Sequence, residues 1–98
     1  MQTVLASAIA SKKVVEFSYS GHLREVEPHV LGILDGKVQL LSYQIGGSSS
    51  SGGIPEWRRF DVSKMTGVRE RNKAFAGARP VPSGMHSSWD RQIAVVAP

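Results

Sequence analysis

The apolar positions near the N-terminus repeat with a helical period. Val4, Leu5, Ala8 and Ile9 recur at spacings of three and four residues, which places them on one face of a helix. Thr3 stands where an N-cap residue is favoured. A helix of about ten residues is marginal alone in water, so it needs a surface to pack on. We therefore predict one short amphipathic N-terminal helix that docks on the rest of the chain.

Beyond residue 13 the apolar period changes to two. Val15, Phe17 and Tyr19 alternate with Glu16 and Ser18, as in a strand with one buried face. A turn over residues 20–22 then leads to a second, longer strand. The alternation predicts an antiparallel pair directly after the helix.

Turn signals divide the rest of the sheet. Asp35-Gly36 is a two-residue hairpin signal, and a third strand is expected over residues 37–44. Shorter strand patterns follow at 56–62 and 66–70. Pro28, inside the second strand, requires an edge position, a bulge or a bend. The fold class is therefore mainly β: a small five-stranded antiparallel barrel or strongly bent sheet, preceded by one short N-terminal helix.

A length of 98 residues fits one domain. The helix and the five predicted strands lie within residues 1–70. Residues 71–98 are less regular and read as a C-terminal extension, to which residues 93–97 can add one late strand. The glycine- and serine-rich run at 46–53 is predicted to be a mobile loop, because it lacks side chains able to pack.

Composition excludes several classes of protein. The chain has no cysteine, which rules out disulfides, thiolate nucleophiles and cysteine-ligated metals. No apolar run approaches the roughly 18 residues that span a bilayer, and the N-terminus has no basic segment ahead of an apolar stretch. We expect a cytoplasmic protein that does not enter membranes.

Charge is concentrated in one part of the chain. The net charge is +4, and all of the excess lies in residues 56–80. The basic residues there are Arg58, Arg59, Lys64, Arg69, Arg71, Lys73 and Arg79, against Glu56, Asp61 and Glu70. Such a stretch is either the footprint of an anionic ligand or a solvated surface that keeps the protein soluble. Charge alone leaves both interpretations open.

Two arginines have the parity of buried positions. Arg24 and Arg58 alternate in step with the apolar residues of their strands, so both guanidinium groups are expected on the core side near strand ends. A guanidinium cannot lose its charge, and burial there requires carboxylates, carbonyls or a bound anion. Its planar fork suits phosphate. The alternative is that both pair with Glu16, Glu27 or Asp61.

Aromatic residues accompany these arginines. Tyr19 places a hydroxyl at the end of the first strand, and Tyr43 and Trp57 add aromatic surface beside the glycine-serine run. Arginines interleaved with aromatics are typical of single-stranded nucleic acid binding, by backbone neutralisation and base stacking. The alternative is that Tyr19 caps a core and Trp57 packs beneath the loop.

No motif points to catalysis or to a metal. His22, His29 and His86 are scattered and lack companions at ligand spacing. No serine, histidine and aspartate stand at a recognisable catalytic spacing. We predict a non-enzymatic protein that uses neither a metal nor a cofactor.

The segments taken together resemble the WYL domain, an Sm-like small β-barrel found chiefly in bacterial regulators. The resemblance covers residues 3–70. It rests on the helix at 5–9, the strand ending Phe17-Ser18-Tyr19, the R-x-V-x-P form of Arg24 to Pro28, and the similarity of Arg58 to Met65 to R-x-F-R-L-D-R-I.

Departures from the family pattern concern the ligand rim. The naming Trp-Tyr-Leu is Val38-Gln39-Leu40 here, which keeps only the leucine. Asp61 replaces an arginine and Ser63 an aspartate, while Lys64-Met65 stands for Arg-Ile. An acid in place of that arginine reverses one charge, which is expected to weaken or redirect affinity for an anion.

The resemblance implies a regulatory function. Members of the family sense nucleic-acid or nucleotide-like ligands, usually behind a DNA-reading domain in a transcription factor. We predict a stand-alone module for transcription regulation that binds single-stranded nucleic acid or a nucleotide-like anion. The predicted ligand-binding residues are Arg24 and Arg58 for phosphate, Lys64 for electrostatic support, and Tyr19 and His29 for orientation or stacking.

A rival hypothesis starts from the same fold. The module has lost ligand sensing and instead joins a regulatory protein or forms a homo-oligomer. Its support is the aliphatic stretch at residues 93–97 together with exposed strand edges.

Overall fold

A computed structural model of the chain describes residues 2–47, 53–80 and 88–98. These residues form one N-terminal helix and a single sheet of six antiparallel strands. The elements are α1 (Gln2–Ser11), β1 (Lys13–Tyr19), β2 (His22–Leu34), β3 (Lys37–Gly47), β4 (Glu56–Asp61), a 3₁₀ helix (Val62–Lys64), β5 (Thr66–Ala74) and β6 (Arg91–Val95). The mainly β class and the N-terminal helix are thus confirmed.

The sheet is open. Five strands follow the order β4-β3-β2-β1-β5, and β6 pairs with β2 outside this path. No pairing among the described residues joins β4 to β5, so a closed five-stranded barrel is a wrong prediction. The helix packs on one face of the open sheet, where Leu5 and Ile9 share one core cluster with Phe60 and Val62. The predicted late strand exists as β6.

The long strand β2 has two different neighbours along one edge. Its first half pairs with β1, Val15 opposite Val26, and its second half pairs with β6, Val30 opposite Val95. On its other edge it pairs with β3, and the register shifts between Pro28 and Val30. Proline has no N–H to give to a ladder, so an irregularity at this point follows from the sequence.

Two tight turns set the register of the first three strands. Ser20 and Gly21 have φ values of 52° and 76°, and Asp35 and Gly36 have 51° and 76°. Positive φ at both central residues is the geometry of the hairpin turns that match strand twist. The hairpin predicted at Asp35-Gly36 is therefore confirmed.

The core lies between α1 and one face of the sheet. Leu5, Ile9, Phe17, Leu40 and Phe60 are all at most 2 % exposed. The rings of Phe17 and Phe60 meet edge to face with centroids 5.0 Å apart, an arrangement that aromatic quadrupoles favour. This packing fixes the ends of β1 and β4 relative to each other.

The C-terminal part of the chain completes the sheet. β5 runs to Ala74, beyond the boundary expected at residue 70. Phe75 then stacks on His29, and Trp89 lies against Gly32 ahead of β6. No helix of the described residues is long and apolar enough to cross a bilayer. Residues 48–52 of the predicted glycine-serine loop, and His86, lie outside the described residues.

Candidate anion-binding site

A pocket of about 320 Å³ opens where β1 ends, β2 begins and β4 passes. Its lining residues are Tyr19, Arg24, Glu56, Trp57, Arg58, Arg59 and Phe60. Three of the five predicted ligand-binding residues, Tyr19, Arg24 and Arg58, are therefore brought together. Below, this feature is called the cationic pocket.

Arg24 is the most unusual residue of the cationic pocket. It is 5 % exposed, and its Nη1 and Nη2 donate to Gln44 Oε1 at 3.3 Å and to the carbonyl of Tyr19 at 3.2 Å. Both acceptors are neutral, and the guanidinium also lies 5.6 Å from the ring centroid of Phe60. Its Nε–H is buried without a hydrogen-bond partner among the described residues. Burial lowers the pKa of Arg24, although an arginine still keeps its charge.

Arg58 adds a second guanidinium beside the first. Its charge lowers the pKa of Arg24 further, after burial. Arg58 forms an ion pair with Glu56, and the two side chains are 16 % and 43 % exposed. Arg58 therefore does pair with an acid, but the acid is Glu56 and none of the three that the sequence analysis named. Arg24 forms no ion pair within the described part of the chain, so the alternative of pairing with acids is wrong for Arg24.

Arg59 is the third cation that lines the cationic pocket. Its guanidinium lies 3.9 Å from the ring centroid of Trp89, and its Nη2 donates to the carbonyl of Ser88 at 3.1 Å. Burial lowers the pKa of Arg59. The pocket lining thus holds three guanidinium groups and one carboxylate, that of Glu56, a local excess of positive charge that attracts anions.

The other five cations of residues 56–80 are all paired with acids. Arg69 and Arg71 bind Glu16, Lys73 binds Glu25, Arg79 binds Glu27 and Lys64 binds Asp61. Hydrogen bonding to Arg69 is the main reason why the pKa of Glu16 is lowered. The basic stretch that the sequence singles out therefore serves largely to neutralise acids of other strands. The cationic pocket draws only two of its three arginines from that stretch.

Lys64 and Asp61 lie apart from the cationic pocket. The Lys64 side chain is 66 % exposed, and its Nζ is 3.5 Å from an Asp61 oxygen. Gln39 Nε2 donates to the other oxygen of Asp61 at 2.8 Å. Neither Lys64 nor Asp61 lines the pocket, so the carboxylate of Asp61 does not reverse the pocket's charge. The backbone N–H of Asp61 donates to the Tyr19 hydroxyl at 3.1 Å, which leaves the phenolic hydrogen available as a donor.

His29 lies in a different cluster. It is 2 % exposed, and its Nδ1 is 2.8 Å from the carbonyl of Glu27. Its Nε2 accepts the backbone N–H of Arg79 at 3.2 Å, so the proton of the neutral ring is assigned to Nδ1. Phe75 stacks on the ring, and Trp57 meets it edge to face at 4.7 Å. His29 therefore anchors residues 75–80 to the sheet and does not line the cationic pocket.

The buried His29 predicts a pH dependence of stability. Burial is the main cause that lowers its pKa below 6.5, and the nearby Arg79 charge acts in the same direction. The unfolded chain then binds more protons than the folded chain just below pH 6.5, so the free energy of unfolding should fall as the pH drops from about 6.5. Protonation of Nε2 would also remove the acceptor of the Arg79 N–H.

Urea denaturation at pH about 7.5, 6.5 and 5.5 measures this dependence. The pKa values of Glu16 and Asp61 are lowered from 4.5 and 3.8. Their protonation therefore reduces the stability of the protein only at a pH below this range, in which histidine is the side chain that titrates. A His29→Gln variant should show a flatter profile over the same range. An equal slope in both proteins would contradict the assignment.

Comparison with known proteins gives no family. No protein-family model, no curated protein and no solved structure matches the chain. Residues 2–47, 53–80 and 88–98 contain no cluster of three or more His, Cys, Asp or Glu side chains that could hold a metal ion.

Sequence reasoning missed two contributors to the site. Gln44 is fully buried on β3, and its Oε1 accepts a hydrogen bond from Arg24. Its place two residues after Ser42 puts both polar side chains on the same face of β3, and this alternation was the available sequence signal. Trp89, whose ring packs against the Arg59 guanidinium, follows a stretch of sequence without strand periodicity. No local sequence pattern therefore predicted its contact with Arg59.

Proposed function

We propose that this chain is a non-enzymatic, WYL-like regulatory module that binds a phosphate-bearing anion, a nucleotide or a short single strand of nucleic acid. The observation that carries the proposal is the burial of Arg24 without a carboxylate partner. A desolvated guanidinium with only neutral acceptors costs folding free energy. Proteins keep such costs mainly at functional sites, and a bound anion supplies the missing charge.

The neighbouring groups suit phosphate. Arg24 and Arg58 offer planar donor forks, and Tyr19 offers its phenolic hydrogen. Glu56 is the exposed partner of Arg58, so water can solvate its carboxylate when a phosphate takes its place. The exchange replaces an ion pair whose carboxylate is partly exposed by a contact inside the pocket.

The resemblance to the WYL domain supports the same conclusion. One helix precedes five strands that are neighbours in a single antiparallel sheet. The arginine of the R-x-V-x-P segment and the first arginine of the Arg58 to Met65 segment line one pocket. Val38-Gln39-Leu40, in place of the naming tripeptide, lies on β3, where Gln39 binds Asp61.

Fluorescence anisotropy with labelled single-stranded DNA and RNA of about ten nucleotides tests the proposal. At about 50 and 200 mM salt the affinity should fall, with a log–log slope of about −0.7 per neutralised phosphate. Arg24→Met and Arg58→Ala should each weaken binding by about tenfold or more, because each removes charged hydrogen bonds to the ligand. Arg91→Ala, which removes an exposed guanidinium from β6, is the matched control and should bind like the wild type.

Thermal unfolding of the same variants separates binding from folding. Because Arg24→Met removes a desolvated charge and keeps an unbranched side chain, the melting temperature should stay unchanged or rise by a few degrees. A well-folded Arg24→Met protein that binds as tightly as the wild type would overturn the site.

A second candidate function has one observation in its favour. Ile93 and Val95 on β6 are 41 % and 54 % exposed, and β6 pairs only with β2 in the described part of the chain. An apolar edge strand of this kind can add to the sheet of another protein. Absence of nucleic-acid binding, together with a dimer mass by light scattering, would favour this rival.

A further inference from the structure

A second concavity adjoins the cationic pocket at β4. It has a volume of about 570 Å³ and is lined by Tyr43, Pro55, Glu56, Trp57, Arg79 and Pro80. Glu56 and Trp57 also line the cationic pocket, so the two concavities share part of their lining on β4. This feature is called the aromatic groove below.

Arg79 forms a fixed planar surface in the aromatic groove. Its guanidinium lies over the ring of Tyr43, 4.4 Å from the centroid. Its Nε and Nη2 donate to the two carboxylate oxygens of Glu27 at 2.6 and 3.1 Å, and Glu27 itself is 5 % exposed. The Arg79 side chain is nevertheless 46 % exposed. The buried Glu27 thus fixes the guanidinium plane of Arg79, and the exposed part of this side chain is accessible from the groove.

The two concavities differ in charge. The lining of the cationic pocket contains three guanidinium groups and one carboxylate. In the aromatic groove the charge of Arg79 is matched by Glu27, and Glu56 adds a further acid. A phosphate is therefore attracted to the cationic pocket, whereas the groove suits a flat, neutral group that can stack.

We propose that the aromatic groove binds the nucleobase of a nucleotide whose phosphate occupies the cationic pocket. The base stacks on the Arg79 guanidinium beside Trp57, as bases do on arginine planes and aromatic rings. Glu56, at the junction, accepts a hydrogen bond from an exocyclic amino group, the contact that a carboxylate makes with cytosine N4. Cytosine, adenine and guanine are therefore favoured over uracil and thymine. This inference rests on the proposed function.

NMR titration of the ¹⁵N-labelled full chain with ribose 5-phosphate, UMP and CMP tests the base site. Affinity should increase in that order, because the first ligand has no base and only CMP carries an amino group. CMP, but not ribose 5-phosphate, should shift the Trp57 indole signal, which a Trp89→Phe variant identifies. Arg79→Lys keeps the charge without the plane and should weaken CMP by about fivefold or more while ribose 5-phosphate is unchanged. Glu56→Gln should abolish the preference for CMP over UMP.

The outcomes distinguish the two proposals. If ribose 5-phosphate binds as tightly as CMP and the Trp57 signal stays in place, the base site is wrong and the phosphate site stands. If none of the three ligands binds, and the labelled single strands also fail to bind, the proposed function itself is wrong. If Arg79→Lys fails to fold, the response of the Trp57 indole signal in the wild-type chain still tests the base site.

Discussion

Phe17→Ala should lower the free energy of unfolding by about 3–5 kcal/mol, the usual cost of deleting a buried phenyl ring. Phe17 is fully buried, and its ring packs edge to face against Phe60 at 5.0 Å and against Tyr19 at 6.4 Å. The truncation loses apolar contacts and leaves a cavity between β1 and β4. Single domains are stable by only about 5–15 kcal/mol, so the loss is a large share. Urea denaturation followed by circular dichroism measures it.

The same substitution should damage the cationic pocket. Tyr19 and Phe60 line that pocket, and both rest on the Phe17 ring. Phe17→Leu, which keeps most of the apolar volume, is the matched control and should cost less than about 1.5 kcal/mol. A Phe17→Ala protein within about 1 kcal/mol of the wild type would show that this aromatic cluster does not hold the two strands together.

Gly32→Ala should detach β6, at a cost of about 1–3 kcal/mol from overpacking. A Cβ at this position would lie 2.6 Å from the backbone carbonyl oxygen of Arg91 and 2.5 Å from the ring of Trp89. Backbone cannot yield as a flexible side chain can, so β6 and Trp89 must move away from β2. Hydrogen exchange should show lost protection of the β6 amides, and the Trp89 fluorescence should shift as the indole becomes hydrated.

Gly46→Ala is the control for this prediction. A Cβ there meets the Glu25 carboxylate at 3.3 Å, and the end of that side chain can swing away. The variant should keep its β6 protection and most of its stability. Full protection of β6 in Gly32→Ala would refute the packing argument, and equal loss in both variants would show that the effect is not specific to position 32.

Local periodicity predicted those parts of the fold whose partners are close in sequence. The helix follows from the spacing of Leu5, Ala8 and Ile9, and the first hairpins follow from alternation together with Asp35-Gly36. Each signal involves residues a few positions apart, so the chain itself specifies the element. The openness of the sheet is a different matter, because it depends on whether β4 and β5 meet.

The fate of the charged residues was beyond local reasoning. Arg69 and Arg71 bind Glu16, which lies in the first strand, and Arg79 binds Glu27. These pairs depend on the register of β5 against β1 and on the path of residues 75–80, and neither has a sequence signature. A count of basic residues therefore overestimated the positive charge that residues 56–80 leave for an anionic ligand.

The candidate site was predictable where strand parity decides it. Arg24 and Arg58 have the parity of buried residues, and the structure brings them into one pocket. His29 and Lys64 were chosen by residue type. The first belongs to a buried cluster with Phe75, and the second has an exposed side chain at the end of the 3₁₀ helix, paired with Asp61. Residue type alone does not indicate which surface a side chain joins.

The pairing of Val30 with Val95 has a consequence for how the molecule is made. The second half of β2 obtains β6 as a neighbour only after residues 91–95 have been synthesised. Until then the apolar Leu31 on β2 stays without its partner Ala94. Contacts between such distant positions close slowly, so this strand edge stays open to aggregation or to a chaperone while the chain is being made.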